Sequence, residues 1–206
     1  RMNCPFICRL SLPYCLTLTG MVIALGGIGA ALSGALWLSI SLLYLAMLAD
    51  ALDGKLARWL GCERPFGRYL DGFCDLLLYL VAPALIFYLS GYRGGSAFFL
   101  ALMVVCGALR LSRFNESGNI THHAALAYLG MPVFWSLFIL SGWALLALVL
   151  PPLICARLLS VALTLFSLAM LLNRPFPKFS SLITLITLCL SGAALFGALH
   201  LGGVHG

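Results

Sequence analysis

The sequence predicts an all-α polytopic membrane protein, a helix bundle of about seven spans with a cytoplasmic N-terminus. Three observations carry that prediction. The 206 residues are 63% hydrophobic and 9% charged, with a mean hydropathy of +1.08. Soluble domains carry about 25% charged residues, so this chain lacks the charge to solvate a globular surface or to stay disordered. The apolar residues form long continuous runs, unlike the alternating segments of about ten residues that build a membrane barrel. The basic residues, finally, fall unevenly between the connections.

A span needs about 20 residues to cross roughly 30 Å of hydrocarbon. Apolar segments are expected at about 13–32, 35–60, 67–91, 95–114, 128–149, 152–172 and 180–202. Ser33-Gly34 makes a tight first connection. Gly91-Tyr92-Arg93-Gly94-Gly95 parts the third run from the fourth. Pro151-Pro152 parts the fifth from the sixth, and Pro175 with Pro177 the sixth from the seventh. The runs use up the length, so a single domain over 1–206 is expected with no room for a separate soluble domain, and apolar runs reaching the C-terminus argue against a signal peptide on a soluble body. The eight cysteines show no metal-ligand spacing and read as small apolar fillers.

Orientation follows from the basic residues. Arg1, Arg9, Lys55, Arg58, Arg64, Arg68, Arg110, Arg113, Arg174 and Lys178 fall on one side of this topology, and Arg93 and Arg157 on the other. Ten against two predicts that the N-terminus and the loops at 61–66, 115–127 and 173–179 are cytoplasmic. The net charge of +6 therefore reports topology and attraction to anionic headgroups, with no nucleic-acid partner expected.

Of six acidic residues, four lie within 26 positions: Asp50, Asp53, Asp71 and Asp75. Asp50 and Asp53 are i,i+3 and share a face of the second helix; Asp71 and Asp75 are i,i+4 and share a face of the third. Two antiparallel neighbours joined by a short loop bring these pairs together at their cytoplasmic ends. Like charges repel unless neutralised, and oxygen-only ligands suit hard cations such as Mg²⁺ or Mn²⁺, one or two of them. Gly54 and Gly67 each cost about 1 kcal/mol in a helix, which suggests close approach of a ligand or a neighbouring helix. Arg58 is placed to pair with a phosphate.

The string Asp50-x2-Asp53-Gly54-x2-Ala57-Arg58-x8-Gly67-x3-Asp71-x3-Asp75 resembles the signature of the CDP-alcohol phosphatidyltransferases at every fixed position and gap. The resemblance implies a six-helix core, here with one further span, in a dimeric integral membrane enzyme. It implies transfer of a phosphatidyl group from CDP-diacylglycerol to an alcohol, with release of CMP. The four Asp would bind two divalent ions, and Asp75 would also take the proton of the attacking hydroxyl. Gly54, Ala57, Arg58 and Gly67 would line the donor site. The chemistry suits the residues, since carboxylate-held metals neutralise charge on phosphates and a nearby carboxylate can act as base.

Beyond the signature, four places resemble the CDP-diacylglycerol–serine O-phosphatidyltransferase branch. They are Leu12-Pro13 with Leu16-Thr17-Leu18, Val81-Ala82-Pro83, Arg110-Leu111-Ser112-Arg113-Phe114-Asn115, and Tyr128-x-Gly130-Met131-Pro132. L-Serine is accordingly the expected acceptor, bound through Arg110 and Arg113, which share a helical face. The chain departs from that branch at Gly72, where it has Ser, and at Leu78-Tyr79-Leu80, where it has Ser-Phe-Gly. Phe134-Trp135 is a third departure, more like the phosphatidylcholine synthases. Choline, glycerol 3-phosphate and inositol phosphate are the alternative acceptors. A divalent-cation transporter is the reading from another class, but transporter sites lie near the bilayer midplane and these carboxylates lie at helix ends.

Overall fold

A computed structural model describes residues 11–61, 64–117, 120–122, 125–177 and 181–203. Cys4, Cys8, Cys62, Glu63, His123, Lys178 and His205 lie outside them, as do the side chains of His122 and its strand neighbours. The described chain is an α-helical bundle. Its helices are α1 (Leu12–Leu32), α2 (Leu36–Trp59), α3 (Pro65–Asp75), α4 (Ala82–Leu89), α5 (Ala97–Ser117), α6 (Trp135–Leu146), α7 (Pro152–Leu171) and α8 (Leu182–Leu201). A π-helical turn, Leu76–Val81, joins α3 to α4 so that Pro65–Leu89 runs as one rod. Among the described residues, six rods are long and apolar enough to cross a membrane, which makes this an integral, multi-pass membrane protein.

Small residues set how closely the first helices pack. Gly20, Ala24, Gly27 and Ala31 form a buried stripe along α1. A Cβ at Gly20 would stand 3.2 Å from the Ala49 Cβ, and one at Gly27 would stand 3.2 Å from Leu43 Cδ2. The turn between α1 and α2 needs Gly34 at φ +80°. On the opposite side of α2, Gly192 of α8 accepts the Tyr44 ring so closely that a Cβ there would lie 2.7 Å from it. Phe196 stacks on both Trp37 and Tyr44, at 5.9 and 5.8 Å between centroids. Helix α2, which carries Asp50 and Asp53, is thereby clamped between α1 and α8.

The fifth expected segment, 128–149, is corrected by the structure. Only Trp135–Leu146 is helical, and Ala125–Leu129 is a strand. That strand, β2, pairs antiparallel with β1 (Ile120–His122) and with β3 (Pro175–Pro177). Hydropathy alone cannot separate a short apolar strand from a helix. Gly130 at φ +73° and Pro132, which lacks an N–H, end the strand and delay the helix. The Gly130 N–H donates to Arg174 O at 2.9 Å, and that of Met131 to Ala169 O at 3.0 Å. The start of the α6 segment thus lies against the end of α7, and the loops after α5 and α7 share one end of the bundle. After Leu146 the chain continues in tight turns to Pro151.

If the ring-on-glycine contact clamps α2, Gly192→Val should lower stability by about 1–3 kcal/mol, the usual cost of overpacking. Gly29→Val, on an exposed part of α1 with nothing within 4 Å of its Cβ position, should change it far less. The thermal unfolding midpoints of the two purified variants in detergent check this.

Candidate active site at the ends of two helices

Helices α2 and α3 are joined by a short connection, so their adjacent ends converge. Carboxylate oxygens of Asp50, Asp53 and Asp71 lie within 4.8 Å of one another. Asp75, one turn further along α3, borders the same cavity, whose volume is about 460 Å³. Two unit charges at that separation repel by about 3 kcal/mol at an effective dielectric of about 20. The cluster is therefore electrostatically incomplete by itself. Asp53 is 4% exposed, and among the described residues its Oδ2 has no hydrogen-bond partner. A buried carboxylate oxygen left open beside two further carboxylates is what a hard divalent cation requires. The donor set fits a metal.

Of the other expected site residues, Ala57, Arg58, Gly67 and Arg110 border the cavity. Gly54 does not; it lies behind Arg58, whose guanidinium would be 3.7 Å from a Cβ at that position. Gly67 has its explanation in a neighbouring helix, because a Cβ there would stand 2.9 Å from the Tyr14 ring of α1. Tyr14 in turn meets Phe66 edge-on at 5.4 Å. Gly72 is similar: the Asn115 carboxamide occupies the place where a side chain would begin.

The two arginines on α5 separate. Arg110 is 7% exposed, borders the cavity and places its guanidinium 5.7 Å from the centre of the Phe114 ring. Arg113 is exposed and pairs with Glu116 at 2.7 Å. A step of three residues turns a helix by about 300°, and the 60° that remains carries Arg113 out of the cavity wall. Phe134 borders the cavity, whereas Trp135 stacks behind it at 6.2 Å. Trp37 is buried and Trp143 packs edge-on against Phe87, while Trp59 is exposed.

Reading by motif missed several residues of the wall. Lys55, Arg64 and Arg68 add basic side chains, and Tyr14, Phe114 and Tyr79 add rings. Tyr79 matters most, since its hydroxyl donates to Asp50 Oδ2 at 2.7 Å. The one available signal was a polar-tipped ring eight positions after Asp71 in an otherwise apolar run.

Comparison with known proteins agrees with this geometry. The CDP-alcohol phosphatidyltransferase family matches residues 10–202. The chain is 32% identical over 162 residues to the CDP-diacylglycerol–serine O-phosphatidyltransferase of Methanocaldococcus jannaschii, covering 74% of this chain and 72% of that one. It is 35% identical over 102 residues to the enzyme of that name from Helicobacter pylori, covering 48% and 40%. It is also 39% identical over 88 residues to the archaetidylserine synthase of Methanothermobacter thermautotrophicus, covering 41% and 38%. In the last two cases it spans less than half of the relative's length. With the match extending over nearly all of the sequence and the acidic cluster assembled, the chain belongs to the CDP-alcohol phosphatidyltransferase family, enzymes of phospholipid synthesis that transfer a phosphatidyl group.

Proposed function

We propose that this enzyme transfers the phosphatidyl group of CDP-diacylglycerol to L-serine and releases CMP, at the cytoplasmic face of a cell or inner membrane. The observation that carries the reading is one cavity bordered both by the carboxylate cluster and by buried Arg110. The names of the relatives support serine as the acceptor. The ten-to-two distribution of basic residues supports a cytoplasmic N-terminus and site. The family resemblance supports a homodimer.

Asp50, Asp53, Asp71 and Asp75 would hold two divalent cations, Mg²⁺ or Mn²⁺, which when bound supply positive charge against the donor's pyrophosphate. Lys55, Arg58, Arg64 and Arg68 bring further cationic groups to the wall, suited to phosphate oxygens. Ala57 borders the cavity, Gly67 leaves the place of a side chain to the Tyr14 ring, and a Cβ at Gly54 would make only an ordinary contact with Arg58. The donor's acyl chains remain in the bilayer while its headgroup enters from the interface. Arg110 clasps the serine carboxylate by two-point hydrogen bonding. Asp75 accepts the hydroxyl proton. Serine Oγ then bonds to the phosphatidyl phosphorus, the anhydride bond breaks, and CMP leaves with the electron pair. Choline has no anion for Arg110.

The direct test supplies purified enzyme with CDP-diacylglycerol, divalent metal and one alcohol at a time, and follows CMP and the lipid product. Serine should support turnover, and choline, glycerol 3-phosphate and inositol phosphate should not; a preference for choline overturns the serine reading. In the same assay Asp53→Asn should lose about a hundredfold or more, corresponding to at least about 2.7 kcal/mol of lost charge stabilisation, while remaining folded.

The two arginines give a sharper prediction. Arg110→Ala should raise the KM for serine by about ten- to a hundredfold, the effect of losing a charged hydrogen bond of roughly 1.5–3 kcal/mol. The KM for CDP-diacylglycerol should move much less. Arg113→Ala, outside the cavity, should leave both nearly unchanged. Steady-state kinetics on the two variants decide.

Orientation is checked by labelling. In a background without native thiols, Glu116→Cys should react with an impermeant reagent only from the cytoplasmic side. Labelling from outside alone would overturn the cytoplasmic placement of the site.

A further inference from the structure

Asp71, Asp75 and Tyr79 all border the cavity, although an ideal α-helix carries a residue eight positions on about 80° round its axis. The π turn Leu76–Val81 begins directly after Asp75. Its i→i+5 bonding puts more residues into each turn and takes back that drift. The turn has a cause in the sequence. Pro83 has no N–H, and its ring crowds the carbonyl four residues earlier, which is that of Tyr79. The helix widens, and the freed Tyr79 carbonyl is taken by the Ser136 hydroxyl of α6.

The Tyr79 backbone is therefore held from a neighbouring helix, and its side chain is 2% exposed. A buried phenol needs an acceptor, and this one donates to Asp50 Oδ2 at 2.7 Å. Asp50 is one of the three carboxylates that converge. The bond fixes the rotation of that carboxylate about its own axis and leaves its remaining lone pairs to the cluster. Outer partners of this kind typically account for 10- to 100-fold in metal affinity.

We infer that Tyr79 is a positioning residue: its hydroxyl orients Asp50 for divalent-cation binding, and Pro83 and Ser136 hold Tyr79 in place. The inference rests on the metal-binding reading proposed above. Tyr79→Phe removes only the hydroxyl and keeps the ring. The test titrates Mn²⁺ against purified protein without substrates and follows the thermal unfolding midpoint; CMP release is then measured across the same Mn²⁺ range. Tyr79→Phe should need about ten times more Mn²⁺ for the half-maximal thermal shift and for half-maximal turnover. Saturating metal should restore most of the rate, with the substrate KM values unchanged. Ser136→Ala should shift the Mn²⁺ dependence in the same direction by less. An unshifted Mn²⁺ curve in Tyr79→Phe overturns the inference, as does a loss of turnover that no Mn²⁺ concentration restores. If Mn²⁺ leaves the wild-type midpoint unmoved, the metal reading itself fails; a change of preferred acceptor alters neither curve.

Discussion

The arrangement depends on keeping like-charged carboxylates together where mutual repulsion would part them. Asp50, Asp53 and Asp71 converge to within 4.8 Å, against a repulsion of about 3 kcal/mol per pair. The helices that carry them are not free to move apart. Helix α1 lies against α2 along a stripe of glycine and alanine, and α8 presses from the other side through Gly192 and Phe196. Tyr14 of α1 fills the gap that Gly67 leaves on α3. Apolar packing thus maintains a concentration of negative charge suited to a divalent cation.

Away from the site, most hydroxyls of the bundle are satisfied from within it, with buried Ser39 Oγ an exception. In hydrocarbon a polar group must be satisfied from within the protein. Thr164, Ser160 and Ser167 donate to the carbonyl four residues back along their own helix. Others bridge helices: Ser41 Oγ donates to Ala193 O at 2.8 Å, and Tyr44 Oη and Ser141 Oγ lie 2.9 Å apart. The open Oδ2 of buried Asp53 differs in lying beside two further carboxylates, an arrangement suited to a cation. The same economy explains Ser136, which serves a carbonyl freed by a proline on another helix.

The sheet of β1, β2 and β3 binds the end of α7 to the chain that leads into α6. That chain carries Pro132, Val133 and Phe134 into the cavity wall. The wall opposite the signature helices is therefore set by loops tied together through backbone hydrogen bonds. The carboxylate end of the site rests on rigid helices, and the far wall depends partly on connections, which is where variation between related enzymes is tolerated most easily.

Much was legible in the sequence because the membrane restricts what a chain can do. With spanning backbone confined to helices, hydropathy located the rods, and spacings of three and four placed Asp50 with Asp53 and Asp71 with Asp75 on shared faces. The short α2–α3 connection then required the pairs to meet, and the signature pointed to the family. Facts that depend on more than one element were not legible. Hydropathy could not tell that Ala125–Leu129 is the central strand of a sheet, because one of its two partners, β3, lies about fifty residues away. Helical spacing put Arg110 and Arg113 on one face, but the 60° between them decides burial only once α5 is seated. The sequence suggested a close neighbour at Gly67 without identifying it as Tyr14. Tyr79 reaches Asp50 through a π turn imposed by Pro83 and a carbonyl satisfied by Ser136, three segments whose geometry is set only when they pack together.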